Sequence, residues 1–129
     1  MKPEQIYGTW LLTSFDIENP EGKRTPWGKN THGLLIYSPT GHMSVSINKE
    51  VETSEDGGSA DTLDSILFYS GTYVLDGDMI RHQVTEASNP KRIGKEMLRH
   101  AKFYDGLLDL TTPPESFGRA ILVWKKVGL

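Results

Sequence analysis

The chain has 129 residues, of which 36% are hydrophobic and 24% charged, with a formal net charge of −3. That length suits one domain around one core, and the absence of cysteine excludes a disulfide scaffold, a thiolate metal site and a cysteine nucleophile. The slight acidity argues against general nucleic-acid affinity, and no apolar run approaches the ~20 residues of a membrane span.

Thirteen glycines and seven prolines put a turn-former at about every sixth or seventh position. Twelve aromatics run from Tyr7 to Trp124. This mixture predicts many short strands joined by turns rather than a helical bundle. Met1-Lys2-Pro3-Glu4-Gln5 leads into no signal-peptide core, so the expected location is the cytoplasm. One helical turn is expected near Pro3–Tyr7. Residues 8–18 are rich in β-branched and aromatic types and predict a first strand, broken by Asn19-Pro20-Glu21-Gly22. Residues 23–27 make a short second strand at best, because Pro26 removes a ladder donor.

Residues 32–38 and 42–48 flank Pro39-Thr40-Gly41 and predict a hairpin. The second member alternates, with Met43, Val45 and Ile47 on one face and His42, Ser44, Ser46 and Asn48 on the other. Residues 49–61 are acidic, contain Gly57-Gly58 and predict a surface loop. Ser59 or Asp61 can cap a short helix running to about Tyr69, with Leu63, Ile66 and Leu67 on one side. Strands are then expected at 70–75, 78–86, 95–104, 107–112 and 118–127. Asp76-Gly77, Asn89-Pro90, Asp105-Gly106 and Pro113-Pro114 supply the breaks. Eight or nine antiparallel strands with short turns can hide their edges in an up-and-down barrel or a sandwich.

A likeness accompanies this pattern. Gly8-Thr9-Trp10-Leu11-Leu12-Thr13-Ser14-Phe15 opens the first strand. Gly33-Leu34-Leu35-Ile36-Tyr37-Ser38-Pro39-Thr40-Gly41-His42-Met43-Ser44-Val45, Tyr69-Ser70-Gly71-Thr72-Tyr73-Val74 and Leu110-Thr111-Thr112-Pro113-Pro114 follow. Together these resemble the small bacterial and fungal lipocalin-like domain family, over about residues 5–126. The resemblance implies an all-β fold: a single antiparallel up-and-down lipocalin-like β-barrel of about eight strands, with one short helix, as one domain over residues 1–129. It also implies that Trp10 plugs the closed end, with Lys125 or Arg119 stacked on it. The family has no widely shared catalytic motif to carry over, and fold analogy alone assigns no activity.

An eight-stranded barrel is filled by side chains or holds one small ligand. On residues 78–86 the more apolar face carries Ile80, His82, Val84 and Glu86, and is placed inward. His82 and Glu86 then lie roughly 13 Å apart, at about 3.3 Å per residue, within reach of one ligand. On residues 95–104 the inward face is read as Lys95, Met97, Arg99, Ala101 and Phe103. His82, Arg99 and Glu86 would bind an anionic or carbonyl-bearing molecule, since Arg offers a fork of donors and His exchanges protons near neutral pH. The same three residues also read as a structural Arg–Glu pair beside a hydrogen-bonded histidine. Tyr37, Tyr69 and Tyr73 each offer a ring and a hydroxyl, to a pocket or to the core. Trp27 reads equally as a flap over the open end or a surface anchor.

His32, His42, His82 and His100 lie on separate strands without a His-x-His pattern, so no metal is expected. His42 with Ser44 and Ser46 reads as a solvated face, since no third group orients a nucleophile. Residues 49–64 carry one lysine against six carboxylates, and residues 81–102 six cations against two. This division reads as two solvated surfaces or as an acidic loop over a basic barrel mouth.

The leading expectation is a cofactor-free binder of a small hydrophobic or amphipathic molecule. The ligand positions are His82, Glu86, Arg99, Tyr37, Tyr73 and Phe103; no nucleic acid, membrane or cofactor is involved. The second reading is a cofactor-independent cyclase or isomerase with His82 as acid–base and Arg99 as oxyanion donor. The third is a filled barrel that dimerises through an outward row of Leu11, Thr13, Phe15 and Ile17.

Overall fold

The computed structural model describes residues 1–50 and 66–128. Nine strands form one antiparallel sheet: β1 (Gly8–Glu18), β2 (Arg24–Pro26), β3 (His32–Tyr37), β4 (His42–Asn48), β5 (Ile66–Asp76), β6 (Met79–Ala87), β7 (Glu96–Tyr104), β8 (Leu107–Thr111) and β9 (Arg119–Gly128). Consecutive strands from β3 to β9 pair in order, and β1 pairs with both β3 and β9. The result is a closed eight-stranded barrel. β2 stands outside the closure, paired only with Asp16–Glu18 of β1.

The turns follow the chemistry read from the sequence. Tyr104 pairs with Leu107 across Asp105-Gly106, and both linking residues have positive φ, 49° and 77°. That is the backbone a tight hairpin needs to match the strand twist. A 3-10 turn at Pro3–Gln5 realises the expected N-terminal turn, and a second covers Pro90–Arg92. The helix expected over 59–69 lies outside the described residues up to 65, as does most of the acidic stretch. Its last part is strand instead: Ile66–Tyr69 pairs with Val45–Asn48 and extends β5. The ladder offered by β4 outweighs the helical spacing of a short apolar run.

Alternation builds the core. Met43, Val45 and Ile47 are buried, as are Ile80, His82 and Val84. Three register shifts occur among the described residues, one of them between Thr9 and Trp10 opposite β9, and the other two change which predicted residues face inward. One in β1, between Leu12 and Ser14 opposite β9, turns Phe15 inward, where it is 7% exposed. Ile17 packs against the core as well. The expected outward row of Leu11, Thr13, Phe15 and Ile17 is therefore not formed. The other shift lies between β5 and β6: Gly71 pairs with Val84 and Ser70 with Glu86, so Thr85 is an extra residue. One added residue in a strand reverses the face of those beyond it.

The closed end is sealed by Ile6 and Trp10, both buried, with Trp10 Nε1 donating to the Ile6 carbonyl at 2.9 Å. The cation near the Trp10 ring is Lys126, its Nζ 5.5 Å from the centroid. This corrects Lys125 and Arg119: Trp10 pairs with Lys126, while Arg119 lies at the far end of β9 and binds Glu18 at 3.0 Å. Among the described residues no helix is long and apolar enough to cross a membrane.

Candidate functional site

His82 sits midway along β6 and is 2% exposed. Tyr37 of β3 places its hydroxyl 2.6 Å from Nε2, and Tyr69 of β5 places its own 2.6 Å from Nδ1. Both ring nitrogens are thus held. Burial withholds water from the imidazolium, the charge of Arg99 adds repulsion, and the His82 pKa falls to about 3. Burial likewise raises the pKa values of Tyr37 and Tyr69. Near neutral pH the three groups form an uncharged chain of hydrogen bonds inside the barrel.

Beside this chain lies a chamber of ≈ 110 Å³. Phe15, Leu35, Val45, Ile47, Met97 and Leu122 supply apolar wall. Tyr69, His82, Arg99 and Trp124 supply polar groups. Arg99 comes from β7, opposite Ile80, and its Nη1 donates to the Leu98 carbonyl at 2.8 Å. Among the described residues it has no ion-pair partner. Leu67 and Arg92 line both the chamber and a second, outer hollow of ≈ 320 Å³ that also includes Trp27 and Lys91. Trp27 stacks on Phe15 with centroids 4.7 Å apart and planes 8° apart, and Lys49 Nζ lies 4.2 Å above its ring.

The structure brings His82 and Arg99 to one chamber, as the inward faces predict. Four other expected ligand positions are not in its wall. Glu86 is exposed on the outside, where it accepts from Ser70 Oγ at 2.6 Å and from Thr85 Oγ1. The extra residue at Thr85 reverses its face. Phe103 is 36% exposed, near the end of β7, four residues from Arg99 and beyond the chamber. Tyr37 stands behind His82, and Tyr73 packs edge-on against Tyr37 at 4.9 Å while its hydroxyl donates to the Ser38 carbonyl at 2.7 Å. Both belong to the core behind the histidine.

Tyr69, read from the sequence as a pocket or core tyrosine, lines the chamber. Trp124 is a wall residue to which the sequence reading gave no role at the site. It closes a run of five buried apolar residues on β9, Ala120–Trp124; an unbroken apolar run gives period two no face to choose. Its Nε1 is buried without a hydrogen-bond partner among the described residues. His32, His42 and His100 are exposed and apart from His82. His42 Nδ1 meets Thr40 Oγ1 at 3.0 Å, on the solvated face expected for it.

The family model of the lipocalin-like domain matches residues 7–127. A lipocalin-like protein from Bacteroides uniformis ATCC 8492 is similar in structure, with TM-score 0.52 and 15% identity over 95% of this chain and 99% of that one. A redesigned β-barrel is similar at TM-score 0.50 and 11% identity, over 97% of this chain and 94% of the design. No curated protein matches the sequence. The barrel, the Trp10 seal and a family match spanning nearly every residue agree: the chain belongs to the lipocalin-like domain family.

Proposed function

We propose that the protein binds a small hydrophobic or amphipathic molecule inside its barrel. The chamber beside His82 carries this reading: ≈ 110 Å³ of space with mostly apolar walls and a few polar groups among them. Ligand sites combine these features, since apolar area supplies affinity and sparse polar groups set orientation. A dry, apolar cavity of about 150 Å³ is what holds benzene; at ≈ 110 Å³ the chamber is smaller, so a ring-sized ligand would also extend into the outer hollow. Leu67 and Arg92, shared with the outer hollow, mark where a longer molecule would continue.

The cyclase or isomerase reading lacks comparable support. An acid–base histidine must reach its substrate, and both nitrogens of His82 already meet tyrosine hydroxyls. Native mass spectrometry of the freshly purified chain tests the binding reading. A small mass increment that disappears on unfolding is expected. A bare mass, together with no thermal shift from a panel of single-ring compounds, would overturn it.

A further inference from the structure

The chamber's polar side chains are unbalanced. Among the described residues, none of those forming its wall is Asp, Glu, Asn or Gln, whereas Arg92, Arg99, Trp124, Tyr69 and Thr112 can all donate. Thr112 Oγ1 already accepts from the Ala120 N–H at 2.8 Å. Trp124 Nε1–H is buried with no acceptor among the described residues. Such a group carries a desolvation cost that an acceptor would remove.

The histidine chain adds a third donor. A neutral imidazole carries one N–H, so it donates to one tyrosine and accepts from the other. The tyrosine that accepts from His82 keeps its own O–H hydrogen. If that were Tyr37, the hydrogen would be stranded: Tyr37 is 1% exposed, lies outside the chamber wall, and has no hydroxyl partner besides His82 among the described residues. If it is Tyr69, the hydrogen belongs to a residue of the chamber wall. Avoiding the stranded hydrogen selects Nδ1–H of His82 donating to Tyr69, with Tyr37 donating to Nε2. His82 thereby acts as a positioning residue that keeps the Tyr69 O–H available.

Resting on the binding reading above, we propose that the chamber takes a small carboxylate: an acceptor head met by Arg99, Trp124 Nε1–H and Tyr69 O–H, on an apolar body of about one ring. A carboxylate offers about four acceptor sites to these donors, and the guanidinium fork matches its plane. A cationic or donor-only head would meet Arg99, which has no ion-pair partner among the described residues, and no carboxylate or amide oxygen from a described wall side chain.

The test titrates ¹⁵N-labelled full-length chain with benzoate, toluene and benzylammonium while following the Trp124 indole N–H resonance. Benzoate is expected to bind at least tenfold more tightly than toluene and to move that resonance downfield, with no effect from benzylammonium. Arg99→Met should weaken benzoate at least tenfold relative to toluene. If toluene binds as tightly as benzoate, or Arg99→Met leaves benzoate binding intact, the carboxylate assignment fails while the binding reading stands. If neither compound moves the Trp124 resonance, both fail.

Discussion

His82 ties a residue's chemistry to the stability of the whole barrel. In the unfolded chain a histidine gains its proton near pH 6.5; in the folded barrel His82 does so only at about 3. Between those values the unfolded state holds the extra proton. Stability therefore falls as pH drops through this window, by at most ~1.4 kcal/mol per pH unit, and His82 adds no slope above it. Urea denaturation at about pH 7 and about pH 5 should show the loss. His82→Gln should be less stable at neutral pH yet flatter across the window. An equal slope in the variant would assign the acid sensitivity elsewhere. At this scale the sequence was informative where alternation ran unbroken. Ile80, His82, Val84, Met97 and Arg99 all face as period two predicts. The Tyr–His–Tyr chain was not legible, because its members lie 13 and 45 positions apart and meet only through barrel closure.

The elements were legible almost in full, because the hairpin turns and β-branched runs are local signals. The register shifts were not: Thr85 looks like any strand residue, and its extra place is set by what β5 can accept. Gly71 is that constraint. A Cβ built there would collide with the Gln83 carbonyl, part of the opposing backbone, which has no side-chain freedom to yield. Gly71→Ala is therefore expected to destabilise the barrel by about 2 kcal/mol or more, read as a lower thermal midpoint. Glu86 should lose its bonds to Ser70 and Thr85 if the strand re-registers. A midpoint within a degree or so of the parent would mean that the bulge adapts freely. The β5 start illustrates the opposite error. Ile66-Leu67-Phe68-Tyr69 fits either period over so few residues, and pairing with β4 decides it.

For the molecule as a whole, closure is the organising event. β1 pairs with β9 along nearly its full length, joining residues about 110 positions apart in sequence. Glu18, at the end of that seam, meets both Arg24 and Arg119, at 3.2 and 3.0 Å. These pairs are partly exposed and contribute little each; the ladder and the core beneath it hold the seam. Hydrogen exchange should reflect this. Amides in the β1–β9 ladder are expected to exchange only with global unfolding, whereas β2, three exposed residues paired on one side, should exchange through local opening. Equal protection in both would show that β2 is part of the cooperative unit.

The small size of β2 also bears on how copies of the chain behave when crowded together. Closing a sheet removes the edges on which foreign strands can grow. β2 reintroduces one, since among the described residues its outer side pairs with nothing. Its composition makes that edge a poor template. Arg24 brings charge, Pro26 has no N–H to offer, and three residues are too short for a stable cross-β contact. The barrel's one appended strand thus carries its own safeguard against edge-to-edge aggregation.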